Sequence, residues 1–151
     1  MLSLQRIFTA ASFGALITMA AAPAALAGPL EDISGVWLTE AKTAHVEIAD
    51  CGDGTPCGTL VWVDSAQDAD TPLDINNTDP ALTSRPLIGI QMIYGFKAKK
   101  SQFKGGKIYN PGDGKTYGSS VKRIDANTLQ VKGCIGPLCQ KQIWTRVTPQ
   151  G

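Results

Sequence analysis

Short stretches of alternating apolar and polar residues run through most of the chain, separated by turn residues. Residues 43–49 show this most clearly: Ala44, Val46 and Ile48 fall on one face, Thr43, His45 and Glu47 on the other. That two-residue period is the mark of a half-buried strand. Residues 33–39 precede it. Within 57–64, Leu60-Val61-Trp62-Val63 is apolar on both faces and reads as a well-buried strand. Residues 87–96, 102–109, 115–124, 128–134 and 140–147 complete a series of eight. The breaks carry Gly105-Gly106, Asn110-Pro111-Gly112-Asp113-Gly114 and Asp125-Ala126-Asn127, all turn signals. Even spacing of this kind predicts an antiparallel barrel or sandwich. Residues 64–86 depart from the pattern, being long, polar and acidic. A segment of that length usually has a purpose. Asp79 is placed to cap a short helix near 80–84 that starts at Pro80 and stops before Pro86, forming a lid or plug beside the sheet.

The N-terminus follows another logic. Arg6 is the only charge in residues 1–27, an apolar run follows it, and the stretch ends Ala25-Leu26-Ala27. A charged start, an apolar centre and a small-x-small end describe a cleaved signal peptide, so the mature domain is expected to span 28–151. The expected location is periplasmic or secreted. A chain of 151 residues with 43% hydrophobic content is a single folded domain rather than a disordered segment.

Charge is unevenly divided. Residues 28–79 hold 11 acids and one base, Lys42, whereas 80–151 hold 12 bases and two acids, Asp113 and Asp125. The halves carry −10 and +10. Folding around one core brings them onto a shared surface; the alternative is a dipolar molecule whose basic side meets anions.

Four cysteines in an exported chain read as disulfides. Gly and Pro lie between Cys51 and Cys57 and between Cys134 and Cys139, permitting the tight reversals that two local bridges need. Each loop of seven or six residues is worth roughly 2 kcal/mol on the chain-entropy account. The rival is a four-thiolate zinc cage, which has tighter spacing and needs reduced thiols.

Few residues advertise chemistry. His45 is the single histidine, so a multi-histidine metal site is excluded, and it reads as a surface or rim residue. Asp64, Asp68, Asp70, Asp74 and Asp79 are oxygen-rich, yet their spacing misses the EF-hand pattern. No nucleophile elbow or phosphate loop is present, so neither a metal nor a cofactor is expected. The run from Phe96 to Lys107 interleaves aromatics with lysines. Export argues against nucleic acid and favours an anionic envelope component or a ligand at a barrel mouth; the plain reading is a lysine-coated edge.

Gly35-Val36-Trp37 in the first strand and Trp144-Thr145-Arg146 in the last resemble the lipocalin and calycin signature. There a basic residue from the final strand packs across the Trp, a contact worth about 1 kcal/mol. A fuller likeness covers Gly35–Thr39, Cys51-Gly52 with Cys57-Gly58, Leu60-Val61-Trp62, Asp74-Ile75-Asn76-Asn77 and Asp79-Pro80-Ala81-Leu82. It continues through Arg85-Pro86-Leu87-Ile88-Gly89, Gly105–Pro111, Gly114-Lys115-Thr116-Tyr117 and Cys134 to Arg146. Over 33–147 the chain is similar to the domain of unknown function 2147 family, small exported bacterial proteins. The resemblance implies an all-β, lipocalin-like antiparallel barrel of about eight strands with a cavity, and no established activity.

The expected function is binding of a small, partly apolar, anionic ligand. Arg85 supplies charge recognition, since a guanidinium holds a carboxylate through paired hydrogen bonds. Asp74, Asn76 and Asn77 shape the lid; Trp62, Tyr109 and Tyr117 line or rim the cup, with Lys107 nearby. Two other classes stay open: an envelope interaction module using the basic hairpin, and an enzyme built on Arg85, Asp74, Tyr109 and Lys107. A plainer role for Arg85 is pairing with an acid of the 64–79 segment.

Overall fold

A computed structural model describes residues 33–65 and 71–148. The expected leader and the Asp68 and Asp70 positions lie outside them. Nine strands form: β1 (Gly35–Leu38), β2 (Ala44–Asp50), β3 (Pro56–Val63), β4 (Gln91–Tyr94), β5 (Lys97–Lys99), β6 (Gln102–Asn110), β7 (Lys115–Asp125), β8 (Thr128–Ile135) and β9 (Leu138–Arg146). All neighbours are antiparallel in the order β4-β3-β2-β1-β9-β8-β7-β6-β5. A further pairing of β4 with β6, Ile93 opposite Ile108 and Tyr94 opposite Lys107, closes an eight-stranded barrel. Strand β5 stays outside that ring as a three-residue edge paired to β6, and its Lys97 and Lys99 are exposed. Short, lysine-bearing edges of this kind resist pairing with other chains.

Inward positions build the core. Trp37, Val46, Ile48, Leu60, Ile93, Val121, Leu129, Val131 and Trp144 are fully buried. One barrel end is shut by Trp37, whose indole N–H donates to the Ile33 carbonyl at 2.8 Å. The Arg146 guanidinium lies 4.2 Å from the Trp37 ring centre. It also donates to the carbonyls of Ser34 at 2.7 Å and Ala126 at 2.8 Å. One side chain thus ties the first strand, the last strand and the β7–β8 turn together.

Two bulges alter the expected pattern. His45 pairs with Trp62 and Val46 with Leu60, so Val61 is an extra residue in β3. Both Val61 and Trp62 therefore face outward, 37% and 42% exposed, and the stretch expected to be well buried is not. In β6, pairing jumps from Lys104–Ser120 to Gly106–Ser119. Gly105, at φ +71°, is the unpaired residue. A glycine in the left-handed region absorbs the insertion without breaking the strand, so Gly105-Gly106 bends one strand instead of separating two.

Strand β4 begins only at Gln91, because Leu87–Ile90 is occupied otherwise. Leu60 N–H donates to the Ile90 carbonyl at 2.9 Å, and Gly89 N–H to the Leu60 carbonyl at 2.8 Å. Asp74 N–H donates to Arg85 O at 3.0 Å, and Leu87 N–H to Pro72 O at 2.8 Å, pairing the two arms of the 71–90 segment. The expected helix is a single 3-10 turn, Pro80–Leu82, with the Asp79 carboxylate accepting from Ala81 N–H at 2.9 Å.

Both disulfides are local, Cys51–Cys57 and Cys134–Cys139; bonded sulfurs leave no thiolates for the alternative zinc cage. They staple opposite ends of the barrel. The β2–β3, β5–β6 and β7–β8 turns share the end closed by Trp37, and the β1–β2, β6–β7 and β8–β9 turns share the other. The basic hairpin of β5 and β6 turns at Lys100-Ser101 and so belongs to the closed end, away from any mouth.

Candidate functional site: an open-ended barrel cavity

Leu38 pairs with Thr145. The next inward residues, Thr39 and Trp144, therefore lie beside each other one level above Trp37. Above them the barrel encloses a cavity of about 990 Å³. Leu60, Met92 and Ile108 form its walls, and Leu73 and Leu87 of the 71–90 segment complete the side where β4 stops short. The rim carries Asp64, Asp113, Ile135 and Leu138. Ile135 and Leu138 are 68% and 77% exposed, held at the hairpin tip by the Cys134–Cys139 bridge.

Polar groups make up the smaller part of this lining's surface. Thr39 is only 9% exposed, and its hydroxyl has no hydrogen-bond partner. The Trp144 indole N–H donates to the Gln142 side-chain oxygen at 2.9 Å, and both residues line the cavity. Tyr117 also lines it and donates its hydroxyl to the Asp113 carboxylate. That bond, the largest cause, raises the Tyr117 pKa above its usual value, with desolvation and the Asp113 charge adding. Among the described lining residues the charged ones are Asp64 and Asp113; no Lys, Arg or His faces the space.

A second group of polar residues anchors the 71–90 segment. Asp74 is 1% exposed and its carboxylate gathers three partners. It accepts from the Tyr109 hydroxyl at 2.6 Å, from the Asn77 amide at 2.8 Å, and from Arg85 Nε and Nη2, each at 2.9 Å. The Asn77 amide also reaches the Tyr109 oxygen at 3.0 Å, and the Arg85 guanidinium carbon lies 5.3 Å from the Tyr109 ring centre. Burial, reinforced by the hydrogen bond and charge of Asp74, pushes the Tyr109 pKa up to about 12. Asn76 donates to Pro111 O at 3.1 Å and Thr78 to Gly114 O at 3.4 Å, extending the attachment to the β6–β7 turn. Gly114, at φ +68°, passes so close to the Asn76 carbonyl that any Cβ there would overlap it.

The residues singled out in sequence divide accordingly. Asp74, Asn77, Arg85 and Tyr109 come together as one network, and Asn76, Tyr109 and Tyr117 border the cavity. Arg85 does not face the cavity. It borders a shallower hollow outside the barrel wall, beside Tyr94, Lys115 and Thr116. An acidic head group inside the barrel would find no guanidinium there. Trp62 lies outside with its ring 4.6 Å from that of His45, because the β3 bulge turns it outward. Lys107 is exposed, its neighbour Ile108 taking the inward position. Thr39, Gln142 and Trp144 also line the cavity, and no sequence motif marks Thr39 or Gln142 as a ligand contact. The alternation that places Trp37 inward already places Thr39 there, two residues on.

Comparison with known proteins agrees with this architecture. The structure of protein HP1028 from Helicobacter pylori, described as belonging to the lipocalin family, is similar with a TM-score of 0.66 and 23% sequence identity. The match covers 78% of this chain and 84% of that one. No curated protein matches the sequence. A family model described as an uncharacterized protein conserved in bacteria matches residues 35–146. The chain is therefore a lipocalin-like member of the DUF2147 family.

Proposed function

We propose that this protein is an exported carrier that holds a small, largely apolar molecule inside the barrel. The observation that carries this reading is the cavity itself. Its volume of about 990 Å³ matches the upper part of the range that small-ligand pockets occupy, roughly 300–1,000 Å³. Its surface is mainly apolar, with polar groups in the minority, which is how such pockets combine affinity with orientation. Export is supported by the N-terminal pattern and by two disulfides, which persist in oxidising compartments.

Two measurements test the reading. Native mass spectrometry of protein purified from an envelope extract should show the 28–151 mass, alone or with a retained small molecule. A neutral apolar fluorophore, N-phenyl-1-naphthylamine, should bind saturably at one site per chain. Absence of saturable binding would contradict the carrier role, and a full-length mass in the membrane fraction would contradict export as a cleaved protein.

A further inference from the structure

We propose that the hollow outside the barrel wall binds the phosphoryl group of a small phosphate monoester. The site stands apart from the barrel interior and so does not depend on the carrier reading. The hollow encloses about 810 Å³ between the 71–90 segment and the outer face of β6 and β7. Arg85 and Lys115 are the charged residues of its lining, and both are basic. Strand register adds a third base. Lys107 pairs with Tyr94 on one side and Gly118 on the other, and both partners line the hollow. Directly opposed residues share a face of a sheet, so the exposed Lys107 stands among them. The acids of the surrounding elements are committed. Asp74 is buried behind Arg85, Asp79 caps its turn, and Asp113 accepts from Lys115 N–H and the Tyr117 hydroxyl. None of the three lines the hollow.

Arg85 is oriented before any ligand arrives. Its Nε and Nη2 both reach Asp74 Oδ2 at 2.9 Å, and its guanidinium carbon lies 5.3 Å from the Tyr109 ring centre. Those contacts use one edge of the planar fork and leave Nη1 outside the pair, on a side chain that is 35% exposed. A guanidinium fixed in this way offers an oxyanion paired N–H donors at little further cost in freedom. Other donors reach the hollow from different elements: Tyr94 from β4, and Lys115 and Thr116 from β7. A tetrahedral phosphoryl group accepts from several directions at once, whereas a planar carboxylate presents only its two oxygens. The hollow is also far larger than a phosphate ion, and Leu82 and Tyr94 give the organic body of an ester a surface to lie on.

The test is amide chemical-shift mapping by NMR on the full mature protein, titrated at low salt with phenyl phosphate, inorganic phosphate and phenylacetate. Phenyl phosphate should saturably move the signals of Lys115, Thr116 and Gly118, and leave those of Leu60 and Gln142, which line only the barrel cavity. It should bind about threefold more tightly than either phosphate or phenylacetate. Lys107→Gln and Lys115→Gln should each weaken it about threefold, with melting temperatures unchanged, and Lys97→Gln at the closed end should have no effect. Arg85→Lys, titrated where it is still fully folded, should weaken it about tenfold. No saturable shifts, shifts in the cavity residues instead, or equal losses in the Lys97, Lys107 and Lys115 variants would overturn the site. Phenylacetate binding as tightly would overturn the phosphoryl assignment, and inorganic phosphate binding as tightly would overturn the ester.

Discussion

Asp74 is the residue on which the wall of the barrel depends. Its carboxylate is inaccessible to water, and hydrogen bonds from Tyr109, Asn77 and Arg85 replace what burial removes. Breaking a buried pair from one side leaves an uncompensated charge, so the partners are not interchangeable. Lysine at 85 would keep the positive charge but lose the planar fork that sets two N–H groups on one oxygen. Arg85→Lys should lower stability by about 1–2 kcal/mol while changing probe affinity less than twofold. Melting curves with parallel titrations separate the two effects; lost affinity at full stability would restore Arg85 as a ligand contact. Tyr109 adds a pH signature. Its folded pKa, about 12, stands above the ordinary tyrosine value of 10.0. The native state thus holds this proton more tightly than the unfolded chain. The resulting stability is complete below pH 10 and is lost as pH rises from about 10 to about 12. It amounts to about 3 kcal/mol. In Tyr109→Phe that share of the alkaline decline should vanish, which denaturant titrations at pH 9 and pH 11 will measure.

The strands are set by alternation, and their exceptions by single residues. Gly105 and Gly106 sit together in β6 for different reasons. At Gly105 the demand is conformational: φ is +71° and no atom lies within 4 Å of where a Cβ would stand. At Gly106 the demand is steric, for the Phe96 ring occupies the space of a Cβ. Gly105→Ala should therefore cost about 1 kcal/mol. Gly106→Ala should cost more, about 2–3 kcal/mol, because Phe96 must leave its place in the core. Thermal melts of the two variants give the comparison, and equal losses would refute the assignment. These cases also mark where sequence reading stops. The eight strands of the ring, the capped turn at Asp79-Pro80 and both disulfides were legible, because period, cap chemistry and loop length act locally. The bulge at Val61 was not. It is fixed by the register of β2 against β3, and that register alone sends Trp62 to the outside. Arg85 stands out in the sequence as the first base after an acidic segment. Which side of the wall its guanidinium faces depends on how 71–90 lies against β6, and no local pattern encodes that.

The described residues form a barrel shut at one end by Trp37 and Arg146 and left open by them at the other. Its two closing seams are short, two residue pairs each between β1 and β9 and between β4 and β6. Near the mouth the 71–90 segment bridges from β3 to the β6–β7 turn. Closure there relies on hydrogen-bonded side chains, while the closed end relies on packed rings. The interior is what this construction preserves, and its accessibility is the central claim. Gly133 offers a direct way to remove it. It faces the cavity from β8, and a Cβ placed there would stand 3.6 Å from Ile108 and 3.9 Å from Tyr117, ordinary contact distances. A larger side chain at this position projects into the cavity. The decisive measurement is a fluorescence titration of N-phenyl-1-naphthylamine into the wild-type protein and Gly133→Phe, with melting temperatures recorded for both. The account predicts saturable one-to-one binding to the wild type and its loss in a variant that still folds. Equal binding by the folded variant, or none by the wild type, would contradict it.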